Sequence, residues 1–176
     1  MPYIIAFLGL VGAAYFWAMR ARNAGHVAQD LADMAGDVMG AARRLGFRRR
    51  ANVHPVESIE EPALAIAALG TAFMELGGLP SREQQDALSM ALQHHTHRSA
   101  KDAEEAMILG RWLVTECNGP EPAITRLSRR LAKLDRAGSL TPLMGVLNDT
   151  ALAARGGTLS ERQKEALAEI ARALKV

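Results

Sequence analysis

The chain has 176 residues, 49% of them apolar and only 5% aromatic, with a formal net charge of +2. That length holds one domain and a flanking segment, and the single cysteine, Cys117, excludes an internal disulfide. Residues 1–50 carry seven Arg and three Asp while the remainder is slightly acidic, which argues against a nucleic-acid-binding face on the C-terminal part.

Residues 1–22 read as a transmembrane anchor. Tyr3 to Met19 contains no charged side chain, and seventeen residues at ~1.5 Å each span roughly 26 Å, enough for a bilayer core. Tyr3 at one end and Tyr15 and Trp17 near the other suit the two interfaces, and Arg20 and Arg22 follow at once. The excess of positive charge predicts a single pass through the inner, cytoplasmic membrane, with the N-terminus outside and the rest of the chain in the cytoplasm. The competing readings are a cleaved signal peptide, which lacks a basic leading region here, and a buried core helix. Gly9 and Ala13 form a small-xxx-small pair through which two anchors could pack into a homo-oligomer.

Residues 23–50 read as an amphipathic juxtamembrane helix. Val27, Leu31, Met34, Val38, Ala41 and Leu45 form a heptad seam, with Asp30, Asp33 and Asp37 off it. The seam has three uses open to it: dimerisation, packing on the following domain, or lying on lipid, the last disfavoured by the Asp row. Arg43, Arg44, Arg48, Arg49 and Arg50 form a collar that suits anionic head groups or serves as a topology signal. Residues 51–61, with His54-Pro55 and three Glu, read as a linker.

Residues 62–176 predict a compact all-α bundle of about six helices. Ala, Leu, Met, Arg, Glu and Gln dominate, and all favour helix. The first helix, from Pro62 to Leu76, is apolar on nearly every side, as a central helix is. A second opens at Ser81 with Leu88, Ala91 and Leu92 inward. A third runs from about Ser99 to Cys117, burying Ala103, Ala106, Met107, Trp112 and Leu113, with Asp102, Glu104 and Glu105 on a solvated face. A fourth covers about Glu121 to Arg136. Thr141 caps a fifth, with Pro142 at its first position. Ser160 caps a sixth, with Leu167, Ile170, Ala171 and Leu174 inward.

One pattern recurs. Gly77 to Leu88 reads GGLPSREQQDAL and Gly156 to Leu167 reads GGTLSERQKEAL, at an offset of 79 residues. In each copy Gly-Gly ends a helix and Ser-x-x-Gln starts the next as a capping box. Gly78, Ser81 and Gln84, and Gly157, Ser160 and Gln163, are therefore paired loop residues of two similar helix–turn–helix units.

These two loops, between apolar helices, resemble the TerB-like tellurite-resistance family, an all-α domain also found behind a transmembrane helix in membrane-anchored DnaJ-like co-chaperones. The resemblance covers roughly Pro62 to Val176. The family's loops usually read Asp-Gly-x-apolar-Ser/Thr-x-x-Glu, whereas here Gly77 and Gly156 stand for Asp and Gln84 and Gln163 stand for Glu. A hard cation needs carboxylate oxygens, so a metal role tied to those positions is not expected, while Gln still serves the capping box. No cofactor is expected.

Other chemistry is thin. His94, His95 and His97 offer imidazoles near a helix end, where histidine also complements the helix dipole. Cys117 has no activating base in sequence. His54-Pro55-Val56 lacks the Asp of the J-domain tripeptide, so co-chaperone activity does not carry over. The expectation is a membrane-anchored, non-catalytic interaction module with an unidentified protein partner and no nucleic acid, in envelope or tellurite-type stress response. The alternatives are a metal- or metalloid-responsive domain and a small enzyme using the His cluster.

Overall fold

The computed structural model describes residues 35–154 and 158–175. The expected anchor over 1–22, the first half of the heptad seam (Val27, Leu31 and Met34), and Gly156 and Gly157 lie outside them. The described residues are all-helical: they contain no strand, and none of their helices is long and apolar enough to cross a membrane. The chain divides after Met39, and residues 40–176 form one compact unit.

That unit opens on the end of a helix, α1, described over 35–44. The expected juxtamembrane helix does not run on to 50. Gly46 takes φ +70°, its N–H bonds the Arg43 carbonyl at 3.3 Å, and the Phe47 N–H bonds the Ala42 carbonyl at 2.8 Å. This is a Schellman stop, which glycine adopts without steric cost.

Residues 51–61 are not a free linker. Pro55–Ser58 form a 3-10 turn capped by His54, whose Nδ1 accepts from the Val56 N–H at 3.3 Å. Pro55, Val56, Ser58 and Ile59 are buried. The Arg130 guanidinium donates to the Ile59 carbonyl, with its Nε at 2.8 Å, and so ties this turn to a later helix.

Helix α2, Pro62–Leu76, is the centre of the bundle, buried on almost every side. It packs on α4 (Ala100–Glu116) and α5 (Pro120–Leu152), and also meets α3 (Arg82–Thr96) and α6 (Glu161–Leu174). Small residues set how near α4 comes. A Cβ on Gly110 of α4 would lie 3.1 Å from the Ala68 Cα, so the two backbones meet where neither carries bulk. The Thr71 hydroxyl on the same face donates to the Ala67 carbonyl at 2.9 Å and is satisfied inside its own helix.

Helix α4 starts at Ser99, whose Oγ accepts from the Asp102 N–H at 3.1 Å. Ala103, Ala106, Leu109, Leu113 and Val114 are buried, whereas Met107 and Trp112 are only half-buried. The expected solvated acidic face holds for Glu104 but not for Glu105, which is 4% exposed and pairs with Arg44. Glu105 stands beside Ala106 and four residues before Leu109, on the apolar stripe, so burial of that stripe carries it inward.

The fourth and fifth predicted helices make up α5 as two helical segments that meet at a kink at Asp135, where φ is −160° and ψ 91°. Asp135 Oδ1 accepts from the Gly138 N–H at 2.9 Å. The second segment is thus capped by Asp135 and not by Thr141, and Pro142 lies inside it.

Candidate functional site

The two echoed loops meet in space. Each carries its capping box: Gln84 N–H to Ser81 Oγ at 3.3 Å with Ser81 N–H to Gln84 Oε1 at 3.1 Å, and Gln163 N–H to Ser160 Oγ at 3.2 Å with Ser160 N–H to Gln163 Oε1 at 3.0 Å. The second box also reaches across to the first unit. Gln163 Nε2 donates to the Phe73 carbonyl at 3.1 Å, and Ser160 Oγ donates to the Leu76 carbonyl at 3.2 Å.

These bonds complete the end of α2. A helix leaves its last four carbonyls without partners inside the helix. In α2 the Met74 carbonyl accepts from Gly77 N–H and the Glu75 carbonyl from Gly78 N–H, both at 3.1 Å. Gln163 and Ser160 serve the remaining two, Phe73 and Leu76. Gly77 makes room for this arrangement: a Cβ there would sit 2.9 Å from Gln163 Nε2.

Between the loops lies a cleft of about 540 Å³. Leu79, Ser81 and Gln84 line it from the first loop, and Leu159, Ser160 and Gln163 from the second. None of these six carries a charge. Leu79 is 99% exposed, although leucine has nothing to gain from water at a loop tip. Gln163, by contrast, is 2% exposed.

The histidines of the 94–97 segment are not brought together as ligands. His95 Nε2 meets Asp149 Oδ2 of α5 at 2.8 Å, and its ring lies over Gly145, where a Cβ would come within 2.5 Å of it. His94 stacks edge-on against His95 at 4.7 Å between centroids. His97 is exposed, at the left-handed C-cap of α3. Among the described residues no three or more His, Cys, Asp or Glu side chains are grouped to hold a metal ion. Asp149 is invisible to sequence spacing, because it lies 54 residues from its partner.

Cys117 is buried at the end of α4. Burial pushes its thiol above the ordinary range, Arg126 opposes the shift and Glu116 adds to it. That is the environment of an inert thiol. Burial also raises the Glu75 carboxyl, with Arg111 pulling the other way. His54 Nε2 meets the Glu116 carbonyl at 3.1 Å, so its ring closes the 3-10 turn onto α4.

The arginine collar is sorted by the fold. Arg44 pairs with Glu105, Arg49 with Glu116 at 4.0 Å, and Arg50 with Glu60 at 2.5 Å. Phe47 sets its ring edge-on to Trp112 at 6.0 Å. Arg43 and Arg48 are exposed.

Comparison with family models, curated proteins and solved structures finds no match.

Proposed function

We propose that this chain is a membrane-tethered, non-catalytic interaction module, TerB-like in type, that docks a protein partner through the cleft between its two capping loops. The observation that carries this reading is the fully exposed Leu79 at a cleft whose described lining residues carry no charge and whose Ser81, Gln84, Ser160 and Gln163 side chains are engaged in helix caps. A catalytic site needs polar groups free to act on a substrate. A docking site needs apolar surface held on a rigid frame, and an exposed apolar side chain beside a concavity fits that description.

The tether rests on the uncharged run from Tyr3 to Met19 and on the arginines that follow it. It places the helical unit at the cytoplasmic face of the inner membrane. The tellurite or envelope-stress setting follows from the resemblance of the two loops. The replacement of the family's acidic loop positions by Gly77, Gln84, Gly156 and Gln163 favours protein docking over cation binding.

Site-specific photo-crosslinking of the full chain in intact cells tests the reading. A crosslinker at Leu79 is expected to give one discrete adduct in the membrane fraction, and one at exposed Glu165 of α6 none. Equal labelling from both sites, or none from Leu79, rejects the cleft as the docking site. Release of the chain from membranes by alkaline carbonate rejects the tether.

A further inference from the structure

The segment from Arg44 to Val53 is attached to the domain in an unusual way. Between residues 40 and 54 only Ala41 is buried, and residues 48–53 are all exposed. The segment is held instead by side chains reaching to one stripe of α4. Arg44, Phe47 and Arg49 meet Glu105, Trp112 and Glu116 in turn, so the segment runs alongside α4 in the same direction. Arg50 closes it with Glu60 and with a bond from its own N–H to Ser58 Oγ at 3.0 Å.

Each of these arginines is more than half exposed. Where the carboxylate is also open to water, as in Arg49–Glu116 and Arg50–Glu60, such pairs are individually weak and salt screens them, whereas Arg44 meets the buried Glu105 and holds. Leu45 and Phe47 are only half-buried, so apolar contact adds little once those pairs are screened. The turn that follows is different, because Val56 and Ile59 are fully buried and Arg130 holds the Ile59 carbonyl. The strap therefore has firm ends at Arg44 and at residues 54–59 and a weak stretch between them.

We infer that residues 45–53 are a detachable ionic strap, docked on α4 at low ionic strength and released when the Arg49–Glu116 and Arg50–Glu60 pairs are screened. Release frees residues 45–53, nine residues that span about 30 Å when extended. Trp112 and Glu116 are uncovered at the same time. Docking and release depend neither on the cleft nor on its partner.

Hydrogen exchange on the full chain in detergent micelles, at about 0.05 M and about 1 M NaCl, reads this directly. The Arg50 amide, which bonds Ser58 Oγ, is expected to exchange roughly tenfold faster at high salt, with those of α2 and α5 unchanged. The Arg49→Gln, Arg50→Gln double variant alters only exposed positions, and its amide at position 50 is expected to exchange fast at both salt concentrations. If that amide exchanges at one rate at both concentrations in the wild-type chain, or stays as protected as α2 in the variant, the inference is wrong. The crosslink at Leu79 is a separate readout, so loss of one result leaves the other standing.

Discussion

Gln163 of α6 donates its side-chain Nε2 to the Phe73 carbonyl of α2 at 3.1 Å while its Oε1 accepts from the Ser160 N–H at 3.0 Å. One amide thus closes the start of α6 and the end of α2 together. A carboxylate could serve only the first of these bonds, because it has no hydrogen to give. Gln at position 163 therefore supplies a staple between the two units that Glu could not.

Gly77→Ala tests the space that this staple needs. The backbone of Gly77 is ordinary right-handed helix, with φ −77°, so alanine meets no conformational strain there. Its Cβ would instead lie 2.9 Å from Gln163 Nε2. We expect a loss of about 1–3 kcal/mol in a urea titration of the full chain. In a Gln163→Ala background the same substitution is expected to cost much less. The double-mutant coupling then reads the contact itself.

Arg44→Met tests the buried carboxylate of Glu105. Removing the guanidinium leaves an acidic group that is only 4% exposed without its ion partner. A loss of about 1–3 kcal/mol is expected, at the lower end if Glu105 turns outward to water. Glu105→Gln together with Arg44→Met should recover part of it. Equal stability of Arg44→Met and wild type would show that the pair contributes nothing.

Cys117 should be close to unreactive in the folded protein. Its thiol is buried and its pKa is pushed up, chiefly by that burial. Alkylation at mildly basic pH is expected to run roughly tenfold or more slower than in denaturant. Labelling at equal rates in both states would contradict its placement at the end of α4.

Glu75 gives a pH dependence with a defined sign. Burial raises its carboxyl pKa above the ordinary value of 4.5 more than Arg111 lowers it. A raised value in the folded state means that its contribution is fully present below 4.5 and is lost as pH rises through the folded value. Glu75→Gln should remove that loss. Its thermal midpoint relative to wild type is expected to rise between pH 4.5 and neutrality, and a flat difference would show that the charged form bears no burial cost.

The helices were legible because their signals are local. The apolar run from Pro62, the Ser-x-x-Gln starts and the Gly77-Gly78 stop lie within a few residues of the features they specify. The features that sequence reading misplaced depend on distant partners or on competing local signals. Thr141-Pro142 resembles a helix start, but Asp135 offers a cap one and a half turns earlier and the helix begins there. Residues 51–61 look like a polar linker because their charges are dense, yet Val56 and Ile59 reach the core. Glu105 stood out only by its place on the apolar stripe, and Asp149 had no local mark at all. In the site, the pairing of Ser with Gln within each loop could be read from spacing. That Gln163 serves Phe73, ninety residues away, could not.

The most direct test of this arrangement is the thermal unfolding of the full chain in detergent, wild type against Gln163→Glu, each with and without millimolar Ca²⁺, Mg²⁺ or Zn²⁺. If an amide joins the two loops and no cation is needed, the wild-type midpoint is indifferent to all three metals. The variant, which keeps the local cap but loses the donor to Phe73, then melts lower by an amount corresponding to about 1–3 kcal/mol. A Gln163→Glu chain as stable as wild type, or a wild-type midpoint that rises with any of the three metals, would contradict it.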